Sequence, residues 1–427
     1  MMKYYSTRNR ARHYTFRDAV VRGLADDGGL YMPEFIPKLD ASFQDSAKHK
    51  SLAEIGLEVL KDYIGDEIPE AKFGDIVKDA FNFPAPVKHL YDNYYILELF
   101  HGPTFAFKDF GARFMARVLG YFVKDYEKEL HILVATSGDT GSAVANGFYN
   151  VEGIRVHLLY PSGRVSELQE KQLTTYGGNV TAIEVDGSFD DCQKLVKQAF
   201  NDTEVREKLN ISSANSINIA RLLPQSLYYF SAINQIGNSA GVRFSVPSGN
   251  LGNLTAGIMA KKMGLPVKGF ISATNKNDVF TKYINNGEFK PGLSERTISN
   301  AMDVGNPSNF ERLMKMYDES HAEMIKDITS FTFSDNSTME AIGEVYEKSG
   351  YIIDPHGAVG YLAAKEAKSG VILGTAHPAK FGGTIEGILN MKIELPEGLN
   401  AITSKKKKVV PLAANYSTFR DYLLSHK

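Results

Sequence analysis

Apolar and polar positions follow two rhythms along this chain. From Ser51 to about Phe81 the spacing is helical: Leu52, Ile55, Val59 and Tyr63 recur every three or four residues, and Leu60 widens the same face. Pro84 and Pro86 then punctuate the chain and suggest a boundary. Beyond them, short apolar runs alternate with helical stretches. Tyr94–Phe100 reads as a β-rich run broken by His101-Gly102-Pro103, and Phe110, Phe114, Met115, Val118, Leu119 and Phe122 mark one face of a helix. Leu130–Ala135 predicts a buried strand, followed by a glycine turn and a helix over Ser142–Phe148. Val156–Tyr160 predicts another strand, ended by Pro161-Ser162-Gly163. Phe244–Val246 leads through a glycine loop into a helix over Leu254–Met263, and Val267–Ala273 and Val371–Leu373 read as further strands. Repeated strand–loop–helix units predict an α/β fold with mostly parallel sheets. Ligands of such folds sit at the carboxyl ends of the strands.

A chain of 427 residues exceeds one compact core. The expected domains are 1–88, 89–235 and 236–427. With 43% hydrophobic and 23% charged residues, a large core can form and wholesale disorder is disfavoured. A net charge of −2 supplies no basic field for nucleic acid. The one basic block, Lys405–Lys408, reads as a solvated tail. Cys192 is the only cysteine, which excludes an internal disulfide. It follows Phe189-Asp190-Asp191, an acidic first helical turn that does not activate a thiol. Met1–Arg22 lacks the apolar stretch of a signal peptide, and no apolar run is long enough for a bilayer. The expectation is a cytoplasmic protein with no membrane partner. His101, His131, His157, His356 and His377 are scattered without metal-ligand spacing, so no metal site is expected, and no Gly-x-Ser-x-Gly elbow is present.

Five motifs carry candidate chemistry. In His101–Gly111, Lys108 opens a helix after an apolar run. The helix dipole and desolvation both push an amine's pKa down there, as Schiff-base chemistry needs, although a surface lysine paired with Asp109 has the same sequence signature. In Val246–Leu254, two glycines and small polar residues join a strand to a helix, so backbone N–H groups could cradle a phosphate. A tight βα turn with an asparagine cap is the alternative. Ala135–Ala143 is a similar strand–turn–helix suited to a carboxylate, or one in which Asp139 simply caps the helix. Gly370–Phe381 ends a strand in Thr375 and His377. Finally, Ala273–Asp278 and Ser299–Pro307 are polar clusters that line a pocket or form two solvated loops.

Taken together and in order, these segments closely resemble the threonine synthases of the bacterial and fungal branch. The quoted runs are Leu99–Phe114, Thr136–Gly141, Pro247–Gly252, Asn300–Val304 and Gly374–Phe381, with Tyr5-Ser6-Thr7-Arg8 and Leu24–Pro33 at the start. The resemblance implies two three-layer α/β domains of the tryptophan-synthase-β-like fold, an extra mainly helical N-terminal domain, and pyridoxal 5′-phosphate (PLP) as cofactor. By match to the family motif, Lys108 attaches the cofactor covalently. Ser248, Gly249, Asn250, Leu251, Gly252 and Asn253 hold its phosphate, and Thr375 faces the pyridine nitrogen. A neutral hydroxyl there protonates the ring less firmly than the aspartate of other PLP enzymes. Two positions depart from wider relatives: Asp139 replaces an asparagine beside the cofactor's 3′ oxygen, and Asn253 replaces a frequent aspartate.

The activity implied is conversion of O-phospho-L-homoserine and water to L-threonine and phosphate, by a monomer or homodimer. Lys108 is the candidate base for the Cα proton. Ser137 and Thr140 are candidates for the substrate carboxylate, and Arg113 and Lys276 for its phosphate, with Asp109 one turn away as the competing partner of Arg113. A serine/threonine dehydratase would share the lysine and the loop. A non-catalytic phosphometabolite binder would be expected to lose them.

Overall fold

The computed structural model describes residues 2–40, 43, 50–237 and 241–426. The chain divides into two compact units, each assembled from separated segments. One takes Met32–Phe107 and Leu222–Glu394 with the first two residues, and the other takes Lys3–Tyr31, Lys108–Arg221 and Leu395–Lys427.

The first unit carries a six-stranded sheet in the order Ile328–Thr332, Gly269–Thr274, Arg243–Pro247, Gly370–Gly374, Tyr94–Glu98, Val87–Tyr91. Its first five strands are parallel, and Val87–Tyr91 closes the edge antiparallel. Gly269–Thr274 and Gly370–Gly374 are buried along their whole length. Such continuous burial is what helices on a parallel sheet impose. The helical stretch expected over Ser51–Phe81 is two helices, Leu52–Ile64 and Glu70–Ala80. Gly65 turns the chain at φ 60° and Pro69 caps the second helix, so the apolar period is interrupted.

The second unit carries five parallel strands in the order Val409–Ala413, Val180–Asp186, Ile154–Pro161, Leu130–Ala135, Asn210–Ser213. Three of these escaped the sequence reading. Asn210–Ser213 is short and polar, and Val409–Ala413 contains Pro411, which an edge strand tolerates because one side needs no ladder N–H. The Lys405–Lys408 run leads into that edge strand. It is exposed, yet the Lys408 N–H donates to Thr174 O at 2.8 Å and Lys407 pairs with Glu170. Lysines beside an exposed edge also discourage edge-to-edge pairing.

The two opening stretches of the chain form one piece of structure. Ser6 Oγ donates to Asp27 Oδ1 at 2.7 Å, the Thr7 N–H donates to Leu30 O at 2.8 Å, and the Leu30 N–H donates to the Thr7 hydroxyl Oγ1 at 2.8 Å. Gly29 has no room for a Cβ, which would meet Ser6 Oγ at 2.2 Å. Cys192 is buried in the helix Phe189–Asn201, behind a Ser188–Asp191 capping box, and burial pushes its thiol up to about 12. No helix among the described residues is long and apolar enough to cross a membrane.

His131 and His157 stack in the second unit, with His131 Nδ1 3.1 Å from His157 Nε2 and His157 Nδ1 2.9 Å from Tyr422 OH. Burial pushes His131 down to about 4 and His157 well below its ordinary value. The unfolded chain therefore takes up these protons first. Stability is fully present above about pH 6.5 and falls as the pH drops toward 4, by roughly 3 kcal/mol from His131 alone. Thermal melting between pH 7 and 4.5 should show the loss. In an NMR titration two imidazoles should stay neutral down to pH 5; if every imidazole titrates near 6.5, the assignment is wrong.

Candidate active site

Lys108 is the first residue of the helix Lys108–Val123 and is half-buried. The run before it is tied down in the first unit. Phe107 N–H donates to Thr375 O at 2.9 Å, His377 N–H donates to Phe105 O at 3.0 Å, and Ala106 bridges Ala376 antiparallel. Phe105 takes φ 57°, a left-handed conformation that costs a non-glycine residue about 1–2 kcal/mol. Strain of this kind persists where surrounding bonds over-determine the backbone. Lys108 thus follows in sequence directly on Phe107, which is anchored to Thr375 just past the strand Gly370–Gly374. Buried Lys380 adds a bond from Nζ to Thr104 O at 3.0 Å. At the neighbouring strand end, burial works to raise the Glu98 carboxyl, but hydrogen bonds from His101 at 2.8 Å and Tyr351 at 2.9 Å outweigh it and hold it low.

The Ser248–Asn253 loop joins the strand Arg243–Pro247 to the helix Gly252–Met263. The helix begins two residues earlier than the apolar pattern indicated, because Gly252 and Asn253 already have helical backbone. Leu251 sits at φ 60°, ψ 10°, and this left-handed step turns successive N–H groups toward one side. The first-turn N–H groups have no intrahelical partner and carry the positive end of the dipole. Asn253 Nδ2 donates to Pro247 O at 2.8 Å, and its Oδ1 accepts from Leu254 N at 3.0 Å. An aspartate could not donate the first of these bonds, which gives the asparagine at this position a structural role. Both donors of Ser248 are used on strand carbonyls, its N–H on Ala273 O at 2.8 Å and its hydroxyl on Val246 O at 2.7 Å. Asn250 accepts at Oδ1 from Ser308 N at 2.5 Å, and its carbonyl accepts from Asn309 Nδ2 at 3.0 Å. These residues fit a phosphate-bearing cofactor: convergent amides at a helix start, a loop held from outside, and Thr375 buried at the end of a strand of the same sheet.

The two polar clusters are one buried network. Asn275 Nδ2 donates to Thr297 Oγ1 at 2.7 Å and to Asp303 Oδ1 at 3.0 Å, and Asn277 Nδ2 donates to Asp303 Oδ1 at 3.2 Å. Burial raises the Asp303 carboxyl to about 6 despite these bonds. The reading as two solvated loops is therefore excluded. Lys276, between two inward asparagines, is exposed.

In the second unit, Gly138 caps the helix Asp139–Phe148 at φ 143°. Asp139 is not the cap; it is the first helical residue, buried, and accepts from Gln169 Nε2 at 3.0 Å. Thr136 Oγ1 accepts from Gly138 N at 3.1 Å and from Gly141 N at 2.8 Å, which holds the turn open, with Ser137 and Thr140 half-buried on it. Gly147 lies against Ala112 of the lysine helix, where an added Cβ would meet Ala112 O at 3.0 Å. Arg113 is buried on that helix. Lys108, Arg113, Ser137 and Thr140 thus belong to one unit, and Ser248–Asn253, Thr375 and Lys276 to the other.

Sequence reading passed over Asp354, His356 and Asn309. His356 looked like one scattered histidine. The signal was present as Asp354-Pro355, a helix N-cap followed by proline at the first helical position.

The family model described as pyridoxal-phosphate dependent enzyme matches residues 82–374, and those described as threonine synthase N terminus and threonine synthase, C-terminal match 3–81 and 357–423. The chain is 41% identical to the curated threonine synthase of Escherichia coli (strain K12), covering 100% of both chains. The crystal structure of threonine synthase from Escherichia coli superposes with a TM-score of 0.93, covering 100% of each chain at 41% identity. A PLP-bound threonine synthase from Brucella melitensis gives 0.93 at 36% identity, covering 100% of this chain and 99% of that one. The α/β fold that the resemblance implied is the one found. On the strength of the three matched segments and these full-length relatives, the chain belongs to the threonine synthases, a family of PLP-dependent enzymes.

Proposed function

We propose that this enzyme converts O-phospho-L-homoserine and water to L-threonine and inorganic phosphate, with Lys108 as the covalent anchor of PLP. The observation that carries this reading is the pairing of Phe105–Phe107 with Thr375–His377. It fixes the residues that immediately precede Lys108 in the chain to the sheet whose Arg243–Pro247 strand ends in the amide-rich loop. The amides of Gly249, Asn250, Leu251, Gly252 and Asn253 receive the cofactor phosphate. The Ser248 hydroxyl joins them by rotating away from Val246 O. Thr375 offers its hydroxyl to the pyridine nitrogen.

When bound, the cofactor supplies an electron sink for the bonds at Cα and Cβ and so permits loss of the γ-phosphate. The chain's own residues do the rest. The Lys108 amine removes the Cα proton and serves later proton transfers at Cβ, where water adds. The turn carrying Ser137 and Thr140, at the start of the helix Asp139–Phe148, binds the substrate carboxylate through its N–H groups and hydroxyls. Arg113 and Lys276 are the cations assigned to the substrate phosphate, and the exposure of Lys276 suits a ligand arriving from solvent. The setting is cytoplasmic, in keeping with a lone buried cysteine.

Incubation with O-phospho-L-homoserine should release phosphate and threonine in equal amounts. Keto acid formed from threonine at a comparable rate, without phosphate release, would replace this reading with a dehydratase.

A further inference from the structure

Asp354 and His356 are both buried, and they join through Asp354 Oδ2 and His356 Nδ1 at 2.7 Å. The carboxylate is held by two backbone donors as well, His356 N at 3.0 Å and Gly357 N at 3.1 Å. With Nδ1–H donating to that carboxylate, Nε2 presents its lone pair, and the Ala301 N–H donates to it at 3.1 Å. The other face of the same turn meets the loop. A Cβ on Gly249 would lie 2.9 Å from Ala301 O and 2.8 Å from Met302 Cα. The imidazole ring also packs edge-on against Phe381, 5.0 Å between centroids, in the short helical turn Pro378–Phe381 that follows Thr375. One ring therefore braces two segments: the turn behind the amide-rich loop and the turn after Thr375.

We infer that His356, oriented by Asp354, is a positioning residue that sets the Ser248–Asn253 loop for the cofactor phosphate through Ala301. This rests on the assignment of that loop to the phosphate. The tautomer decides the effect. If the ring carried its proton on Nε2, two N–H groups would face each other at Ala301 and the turn would withdraw from Gly249. The Nδ1 bond to a carboxylate that cannot donate excludes that form. The chemical group served is a phosphate monoester dianion. Pyridoxal, which lacks it, should not sense the dyad.

The test uses the full-length apoenzyme, titrated separately with PLP and with pyridoxal and followed by absorption. His356→Phe keeps the ring and loses the acceptor. It should weaken PLP binding about tenfold, as expected for one part-buried N–H left unsatisfied, and leave pyridoxal within about twofold. His356→Gln restores an acceptor near the Nε2 position and should return PLP to within about threefold of wild type. Asp354→Asn keeps the shape but releases the tautomer, and should reproduce the PLP-selective loss even where the phenylalanine variant fails to fold. Equal weakening of PLP and pyridoxal, or no gain from glutamine over phenylalanine, overturns the inference. Gly249→Ala separates the two layers of the argument. If it leaves the ratio of PLP to pyridoxal affinity unchanged, the loop assignment itself falls. If it changes the ratio while the His356 and Asp354 variants are silent, only the dyad falls.

Discussion

Lys108→Ala should abolish turnover and covalent attachment of the cofactor while leaving the fold intact. Lys108 is the first residue of its helix and half-buried, so its side chain opposes the positive end of the dipole. Alanine removes that opposition and is the best helix former, and the stability change should stay within about 1 kcal/mol. The activity loss should be at least about a thousandfold, since one group serves as anchor and as proton carrier. Two measurements separate the roles. Borohydride reduction of the wild-type protein with PLP, followed by peptide mapping, should label Lys108 alone. The variant should still bind PLP through its phosphate but show no reduced adduct. Wild-type-like turnover in the variant, or a label on Lys380, would remove the assignment.

Gly249→Ala should produce the second large effect. The added methyl would lie 2.8 Å from Met302 Cα, backbone against backbone, where no rotamer change gives relief. Overpacking of this kind costs about 1–3 kcal/mol. The Asn300–Met302 turn is tied by Ala301 N to His356 and, through Asp303, to Asn275, Asn277 and Thr297. The loop is therefore the side that yields. PLP affinity should fall by about ten- to a hundredfold, and turnover should recover in large part at saturating PLP. Titration of the apoenzyme with PLP reads this directly. Unchanged affinity would mean that the amides of this loop do not hold the phosphate.

Most of the strands and helices around these residues are legible in the sequence because their physical cause is local. Apolar runs predict strands over Leu130–Ala135 and Val371–Leu373, and the structure has strands Leu130–Ala135 and Gly370–Gly374, buried on both faces of parallel sheets. The glycine turns after Ala135 and Pro247 predict helix starts facing a ligand, and the structure has helices beginning at Asp139 and Gly252. Weak local signals failed. The edge strand Val409–Ala413 follows four lysines and contains a proline, and nothing short of its partner, Val180–Asp186, identifies it as a strand. Asp139 was ambiguous between a cap and a contact, and its bond to Gln169 comes from a residue thirty positions away.

By itself, the sequence determined the α/β alternation, the lysine at a helix start, the loop glycines and the family, because each lies in a contiguous run of residues. Only the tertiary structure decided that Lys3–Tyr31 joins Lys108–Arg221 and Leu395–Lys427 in one unit, and that Ala273–Asp278 and Ser299–Pro307 share one half-buried carboxylate, Asp303. It alone brought His356 to Ala301, behind Gly249. The physical reason is that periodicity and turn chemistry report a residue's neighbours along the chain. Buried polar groups are satisfied by whichever partner the packing of distant segments brings within hydrogen-bond reach.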